Sequence, residues 1–211
     1  MTSLPSQVPL FLVGGQDRRS VSDGDLARAL SAGEAWAAAE TWRRFAPMVL
    51  TLARRTLGSR SDAEDIGQEV FYRVYRNVRK LREPDSFRSF IHTCVVRVLQ
   101  TELHRKKMRS WLSFHEPDEL ECKDSGAPDV ESRDQLRKFY GLLDRLAPRE
   151  RIVFVMRRVE SMSVEEIAAT TETSESTVKR ALARAAKRLS RLMNDRPSLA
   201  LGPLGGEGRE P

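Results

Sequence analysis

The sequence has few of the residues that usually carry catalytic or metal chemistry. Cysteine occurs twice in 211 residues and histidine three times. Cys94 and Cys122 are far apart, and neither combines with His92, His104 or His115 at a metal-ligand spacing. We therefore predict two free thiols, as is usual in a reducing cytoplasm, and no bound metal or cofactor.

Signatures of enzymes and of membrane proteins are also missing. The chain has no glycine-rich phosphate loop, no Gly-x-Ser-x-Gly and no cysteine placed near a histidine as a nucleophile with its base. No apolar run approaches the roughly 20 residues that span a bilayer. The early segment VPLFLVGG is short, contains a proline and lacks a preceding cationic segment, so we do not expect a signal peptide. These absences predict a cytoplasmic protein with no catalytic residues and no membrane insertion.

The composition indicates a folded protein with a polyanionic partner. Hydrophobic residues make up 40% of the chain, and 211 residues can form one large or two small domains. The formal net charge is +6 and the pI is near 9.7. Nucleic acid and an anionic membrane surface both fit this charge.

The segment from Ser163 to Met193 predicts two helices joined by a short turn. Ser163 and Glu166 form a Ser-x-x-Glu capping box, so a helix should begin at Val164. A polar break follows, and its last residue, Ser174, can cap a second helix. The apolar stripe of that second helix consists of Val178, Leu182, Ala185, Leu189 and Leu192.

The opposite face of the second helix is basic, with no acidic residue from Thr177 to Met193. A basic amphipathic helix alone is more often a solvated surface, but the capped helix before it and the tight turn favour a DNA-binding helix-turn-helix. Its early residues would reach base edges and its later cations would contact phosphates. The candidate DNA-binding residues are Ser176, Thr177, Lys179, Arg180, Arg184, Lys187, Arg188 and Arg191.

The chain before this segment is also predicted to be helical. We expect helices within 22–57, which Gly58 ends, a helix capped by Ser61 or Asp62 that runs to about Lys80, and a last helix over 86–108. Pro47 could kink or divide the long run before Gly58. In the third helix, a buried stripe of Ala63, Ile66, Val70 and Val74 adjoins an exposed edge of Asp62, Asp65, Gln68 and Glu69.

The residues of this acidic edge have two possible interpretations. The acids lead the helix and the bases follow, as simple stabilisation of the helix dipole on a solvated face would require. An enzymatic or metal site built on Asp62, Glu64 and Asp65 is the weaker alternative, since no histidine or second acidic motif joins them.

The sequence DAEDIGQEVF, from Asp62 to Phe71, resembles the core-binding helix of bacterial RNA polymerase sigma factors of the extracytoplasmic-function group. The resemblance continues from Asp25 to Gly58, through Phe87 and Ile91 to Lys107, and from Leu146 through the helix-turn-helix. It implies that Asp62, Asp65, Gln68 and Glu69 bind the polymerase core, on a coiled coil of the clamp. The minus-ten promoter element would then be bound by Arg97, His104, Arg105, Lys106 and Lys107 of the last helix.

The chain departs from the usual family residues at several of these positions. Arg97 replaces the usual Asn, Thr101 replaces Asp and His104 replaces Arg in the helix that engages the minus-ten element. In the helix-turn-helix, Glu172 stands where the family often has Gly. The other departures are Phe90 in place of Trp, Thr173 in place of an aliphatic residue, and Ala181 and Ala186 in place of frequent arginines.

We therefore predict an all-α chain of two small helical domains joined by a flexible acidic linker. The expected parts are a flexible extension (1–21), a region 2-like domain (22–112), the linker (113–130), a region 4-like domain that binds the minus-thirty-five element (131–195), and a disordered tail (196–211). The predicted partners are the RNA polymerase core enzyme and promoter DNA, and the resemblance admits an anti-sigma factor as a third. The alternative is a stand-alone helix-turn-helix regulator that acts as a dimer.

Overall fold

The computed structural model describes residues 21–112 and 130–195, and within these ranges it contains eight α-helices and no strand. The predicted all-α fold is confirmed. The predicted tail, nearly all of the predicted extension and all but the last residue of the predicted linker lie outside the described residues.

Four helices form the N-terminal bundle. Their bounds are α1 Asp23–Ala32, α2 Ala35–Leu57, α3 Arg60–Asn77 and α4 Phe87–Leu112. Two short 3-10 turns, Val78–Lys80 and Pro84–Ser86, connect α3 to α4. Gly33 and Gly58 end α1 and α2 with φ angles of 82° and 80°, a left-handed conformation that glycine adopts without steric cost.

Two local details differ from the sequence predictions. The cap of α3 is Ser59, whose Oγ accepts a hydrogen bond from the backbone N–H of Asp62 at 3.3 Å, so the predicted caps Ser61 and Asp62 are wrong. Ser61 is instead the second residue of α3. Helix α2 continues through Pro47, so this proline does not divide the run.

The C-terminal bundle consists of α5 Val130–Asp144, α6 Pro148–Arg158, α7 Val164–Thr170 and α8 Glu175–Asp195. Helices α7 and α8 form the predicted helix-turn-helix and pack on each other. Helix α6 packs against both of them, which gives the pair a third support. Helix α8 is therefore supported by both α6 and α7.

A single cluster of buried apolar side chains runs through both bundles. It includes Phe45 and Ile91 of the N-terminal bundle together with Ile152 and Met156 of the C-terminal bundle, all at most 1% exposed. Helix α6 packs on α2 and α4, and α7 packs on α4. The predicted buried stripe of α3, which is Ala63, Ile66, Val70 and Val74, belongs to the same cluster.

The contact between the bundles is also polar. The side chain of Arg151 is 4% exposed, donates from Nε to the carbonyl of Thr56 at 2.6 Å, and forms an ion pair with Asp144. A cation at this position also complements the negative C-terminal end of α2. On the surface nearby, Arg55 forms an ion pair with Glu160 at 2.9 Å. The C-terminal bundle thus docks on the end of α2 through directed hydrogen bonds as well as apolar burial.

Candidate polymerase and nucleic-acid interfaces

The start of the helix-turn-helix is built as its sequence predicts. Ser163 Oγ accepts from the backbone N–H of Glu166 at 3.0 Å, and Glu166 accepts from the backbone N–H of Ser163 at 2.7 Å. The hydrogen bond from the backbone N–H of Ser163 holds the pKa of the Glu166 carboxyl below its usual value. At the second helix, Ser174 Oγ accepts from the backbone N–H of Thr177 at 3.3 Å. Both predicted caps are therefore present.

The turn between α7 and α8 contains a left-handed residue. Glu172 has a φ angle of 51°, in the region that favours glycine. This geometry gives a physical reason for the glycine that the resembling family often has there. Because the turn is also held by the backbone hydrogen bond from Thr173 N to Ala168 O at 2.9 Å, Glu172 keeps this conformation despite its side chain.

Three residues on the inner face of α8 are buried, whereas Leu182, Leu189 and Leu192 of the predicted stripe are half-buried. Val178 is 1% exposed, and Ala181 and Ala185 are 0% exposed. The side chain of Ala181 faces the core, where the guanidinium of the arginine that is frequent in the family would not fit. Ala186 is exposed, so of the two alanines it alone faces solvent.

The outer face of α8 carries the candidate DNA-binding residues, and all of them except the half-buried Thr177 are exposed. Two of the cations have local carboxylate partners. Lys179 pairs with Glu175 at 3.1 Å, and Arg184 Nε donates to Glu150 at 3.0 Å. Since Glu150 is buried at the start of α6, Arg184 ties the recognition helix to its support. Arg180 instead contacts its own helix, at Ser176 O (3.3 Å) and Thr177 Oγ1 (3.2 Å).

Three of the candidate minus-ten residues lie on one face of α4. Arg97, His104 and Arg105 line an open cleft of about 760 Å³ together with residues that the sequence analysis did not assign. Lys107 is exposed but does not line this cleft, and Lys106 points to α3, where it pairs with Asp62. The additional lining residues are Arg73, Gln100, Thr101, Met108 and Arg109.

Arg73 is one of two additional cations in this cleft, together with Arg109, and it is the one that α3 contributes. It follows Glu69 by four residues, the spacing at which helical side chains meet, and the two form an ion pair at 2.6 Å. Its contribution to a cleft on α4 depends on how α3 packs, which helical spacing does not specify. The cleft is therefore a product of two helices rather than of one basic helix.

The four candidate core-binding residues on α3 differ in exposure. Asp65 and Gln68 are exposed, whereas Asp62 and Glu69 are half-buried and engaged by Lys106 and Arg73. A second cavity of about 420 Å³ joins this edge to α4, with the acids of α3 on one side and Arg105 and other α4 residues on the other. The predicted polymerase and DNA surfaces are thus neighbours linked by ion pairs.

An exposed aromatic side chain near the acidic edge of α3 was not assigned in the sequence analysis. Tyr72 is 58% exposed and follows Gln68 by four residues, on the same face of α3. Trp42 of α2 and Tyr75 of α3 both pack on Phe71 in tilted geometry, with ring centroids 4.6 and 6.0 Å away. Aromatic side chains of this kind are common anchors in protein interfaces.

Other reactive groups do not add a chemical site within the described ranges. Burial raises the pKa of the Cys94 thiol to about 11, so it is an inert core residue at neutral pH. Among the residues with described positions, no group of three or more His, Cys, Asp or Glu side chains is arranged to hold a metal ion. The described helices also include none with the length and apolar character of a membrane span.

Comparisons with known families match both bundles. The Sigma-70 region 2 family matches residues 41–109, and the Sigma-70 region 4 family matches residues 136–189. The first match contains α3 and most of α4, and the second contains α6, α7 and the recognition helix up to Leu189. The first family therefore covers the α3 edge and most of the α4 cleft, and the second covers most of the outer face of α8.

Individual relatives agree with these matches. The ECF RNA polymerase sigma factor SigE of Mycolicibacterium smegmatis is 30% identical over 133 residues, which are 62% of this chain and 51% of SigE. The ECF RNA polymerase sigma factor SigM of Mycobacterium tuberculosis is 29% identical over 181 residues, 86% of this chain and 89% of SigM. The chain spans about half the length of SigE and of the probable ECF sigma factor SigI of M. tuberculosis.

Two solved structures have the same fold. One is CnrH in complex with the cytosolic domain of CnrY, with a TM-score of 0.57 and 21% identity over 82% of this chain and 98% of that chain. The other is the sigma factor RpoE in complex with the anti-sigma factor NepR from Bartonella quintana. It has a TM-score of 0.53 and 16% identity, over 74% of this chain and 96% of that chain.

The fold and its three candidate surfaces, on α3, α4 and α8, define a two-part helical protein with a helix-turn-helix. The chain belongs to the sigma-70 family, in its extracytoplasmic-function group.

Proposed function

We propose that this protein is a sigma factor that binds the RNA polymerase core and directs it to specific promoters. The observation that carries the proposal is the conjunction, in one chain, of an exposed acidic edge on α3 and a basic recognition helix on α8. A stand-alone regulator needs the second feature but has no use for the first. The predicted dimeric regulator is accordingly the less favoured function.

Each surface has a role in this proposal. The α3 edge, with Asp65 and Gln68 most exposed, meets a polar surface of the polymerase, and Tyr72 extends the contact with apolar area. The cleft on α4 binds the minus-ten element through its cations, which neutralise phosphates and hold the strand. The outer face of α8 enters the major groove of the minus-thirty-five element.

No catalytic group is needed for this work, since the polymerase supplies the chemistry and this chain supplies position. We also propose that the protein acts in the cytoplasm, where the polymerase and its DNA are found. An anti-sigma factor is a further proposed partner, because the related fold of RpoE was solved with one. Its binding would have to compete with one of the three surfaces above.

The experiment that tests the proposal is a binding and footprinting comparison. The protein is mixed with core enzyme, and co-elution is measured by size-exclusion chromatography. The DNA protected by the complex is then mapped. We expect a stable complex and protection of two separate elements about two to three helical turns apart, which neither component gives alone. Binding of the protein alone to a palindrome, as a dimer, would support the regulator instead.

A further inference from the structure

The buried carboxylate of Glu150 is shared between two helices of the C-terminal bundle. Its Oε2 accepts a hydrogen bond from the backbone N–H of Ala147 at 3.2 Å, and its Oε1 accepts from Nε of Arg184 at 3.0 Å. The first bond belongs to the start of α6, and the second reaches across to the recognition helix α8. The carboxylate is therefore fixed by α6, and from there it holds one side of the Arg184 guanidinium.

The two partners of this ion pair differ in exposure. The side chain of Glu150 is 10% exposed, whereas that of Arg184 is 57% exposed. An arginine side chain has one N–H on Nε and four on its two terminal nitrogens. Since the contact with Glu150 uses Nε, it leaves the terminal N–H groups of Arg184 to a partner outside the chain.

The packing of α8 on its support does not need this pair. Val178, Ala181 and Ala185 are at most 1% exposed, and they share one buried cluster with Ile152 and Met156 of α6. Apolar burial of this kind holds two helices together without specifying any direction for an exposed side chain. What the ion pair adds is a fixed direction for a long and otherwise flexible arginine.

Arg184 lies on the outer face of α8, among the candidate DNA-binding residues. It follows Arg180 by four residues, so the two side chains lie on one face of the helix, with Arg184 about 6 Å further along the axis. Arg180 contacts its own helix, at Ser176 and Thr177. Of these two neighbouring cations, Arg184 is the one that a carboxylate on a separate helix holds in place.

We propose that Glu150 is a positioning residue for sequence recognition, which presents the terminal N–H groups of Arg184 to a base edge in the major groove. This inference rests on the proposed function, because it adds a specificity-determining pair to the surface that binds the minus-thirty-five element. Two parallel N–H groups of an arginine match the O6 and N7 acceptors of guanine. Guanine is therefore the base that this geometry favours.

Positioning improves discrimination for two physical reasons. Immobilising a flexible side chain on binding weakens a contact by roughly twofold to tenfold, and Arg184 is already oriented before it meets DNA. The carboxylate of Glu150 also balances the charge of the guanidinium, which reduces its attraction to the phosphates of any sequence. Such a pair favours contact with one base over uniform contact with the DNA backbone.

The first test is Glu150→Gln, measured in complex with the polymerase core on a promoter library and on unrelated DNA. Glutamine keeps the shape of the side chain and an oxygen for the Ala147 N–H, but it lacks the charge that holds Arg184. The preference for guanine at one position should fall by about twofold to tenfold. Binding to unrelated DNA should not weaken, since the removed charge is negative. A displaced recognition helix would instead weaken binding to every sequence.

The arginine variants separate charge from geometry. Arg184→Lys keeps the positive charge but has no planar fork, so it should lose the same preference while the salt dependence of binding is unchanged. In the background of Arg184→Ala, the further change Glu150→Gln should not alter the preference again. Glu166→Gln is the matched control, because Glu166 has the same capping position in α7 but accepts from the backbone N–H of Ser163. It should leave the guanine preference as in the wild type.

A measurement on the free chain tests the positioning without polymerase. The Nε–H of Arg184 should give a slowly exchanging signal in heteronuclear NMR at neutral pH, assigned by its absence in Arg184→Lys. Glu150→Gln should accelerate this exchange by about tenfold or more, as the loss of a hydrogen bond to a charged group requires. Circular dichroism verifies that each variant keeps its helicity.

Three results would overturn the proposal. They are an unchanged guanine preference in Glu150→Gln, a uniform loss over all sequences in Arg184→Ala, and a rapidly exchanging Arg184 Nε–H in the free wild-type chain. The last result does not depend on polymerase, so it would overturn the positioning even where the proposed function holds. A wild-type complex without any promoter preference would contradict the proposed function even where the Nε–H is protected.

Discussion

Lys106 of α4 forms an ion pair with Asp62 of α3, and this pair joins the proposed minus-ten helix to the proposed polymerase-binding edge. The two side chains are about one-third exposed, 35% and 34%. A change at either residue would therefore disturb both surfaces at once. Asp65, which is exposed on the same edge, is the cleaner probe of polymerase binding.

Asp65→Arg should weaken binding to the polymerase core by about fivefold or more. A lost surface ion pair is usually worth about 1 kcal/mol or less, but the reversed charge adds repulsion against a polar partner surface. The measurement is a titration of labelled protein with core enzyme, together with circular dichroism to verify helicity. Glu83→Arg, an equal charge reversal in an exposed segment away from α3, is the control. If the two variants bind the core enzyme with equal affinity, the acids of α3 form a solvated face and do not contact the polymerase.

Arg180→Ala and Arg191→Ala should have different effects on promoter choice. Arg180 lies early in the recognition helix, where a base contact discriminates by about 1 to 3 kcal/mol, so its loss should relax the preference at one or two positions. Arg191 lies three turns later and should contact phosphate. Its loss should therefore weaken binding to all promoter sequences equally and lower the salt dependence of binding by about one unit of slope. Both are measured with holoenzyme on a promoter library at several salt concentrations. An unchanged sequence profile for Arg180→Ala would make it a phosphate contact.

Gly58→Ala should destabilise the protein more than Gly33→Ala. Both glycines are left-handed, so alanine at either costs about 1 to 2 kcal/mol of backbone strain. At Gly33 a new Cβ would meet nothing within 4 Å, whereas at Gly58 it would lie 2.8 Å from the ring of Tyr140. The extra loss of unfolding free energy at Gly58 therefore reports the contact between the bundles. Chemical denaturation measures the free energy of unfolding of both variants. Equal losses for Gly58→Ala and Gly33→Ala would contradict the contact between Gly58 and Tyr140.

Acid pH should destabilise the folded protein through His92. Burial, aided by the positive charge of Arg88, lowers the pKa of His92 from 6.5, and this outweighs the opposite effects of Glu160 and Glu166. Because the unfolded chain binds the proton more tightly, stability is kept above the unfolded pKa and is lost as the pH falls through the folded pKa. His92→Asn should remove this part of the pH dependence. Denaturation at pH 7.5, 6.5 and 5.5 would show parallel losses for both proteins if His92 did not contribute.

Local signals in the sequence were sufficient to predict much of the fold. These signals depend only on residues that are near neighbours in the sequence. They are the capping box of Ser163 and Glu166, the apolar stripes, and the glycines that end helices. The cap of α3 was missed because Ser59, Ser61 and Asp62 are all good caps, and the choice depends on the path of the chain after Gly58.

The contact between the bundles could not be predicted in this way. Arg97 and Glu172, which form an ion pair, are 75 residues apart, and Arg151 and Thr56 are 95 apart. Helical periodicity indicates which face of a helix is buried but not which helix covers it. The same limit explains why Arg73 was not assigned to the cleft.

The most direct test of the central claim is transcription in vitro. Fragmented genomic DNA from the source organism is transcribed by core enzyme alone, by core enzyme with the wild-type protein, and by core enzyme with Asp65→Arg. We predict discrete start sites with the wild-type protein, preceded by two shared motifs near minus ten and minus thirty-five, and far fewer transcripts with Asp65→Arg. Transcripts from core enzyme with the wild-type protein that match those from core enzyme alone would contradict the assignment of this chain as a promoter-directing factor.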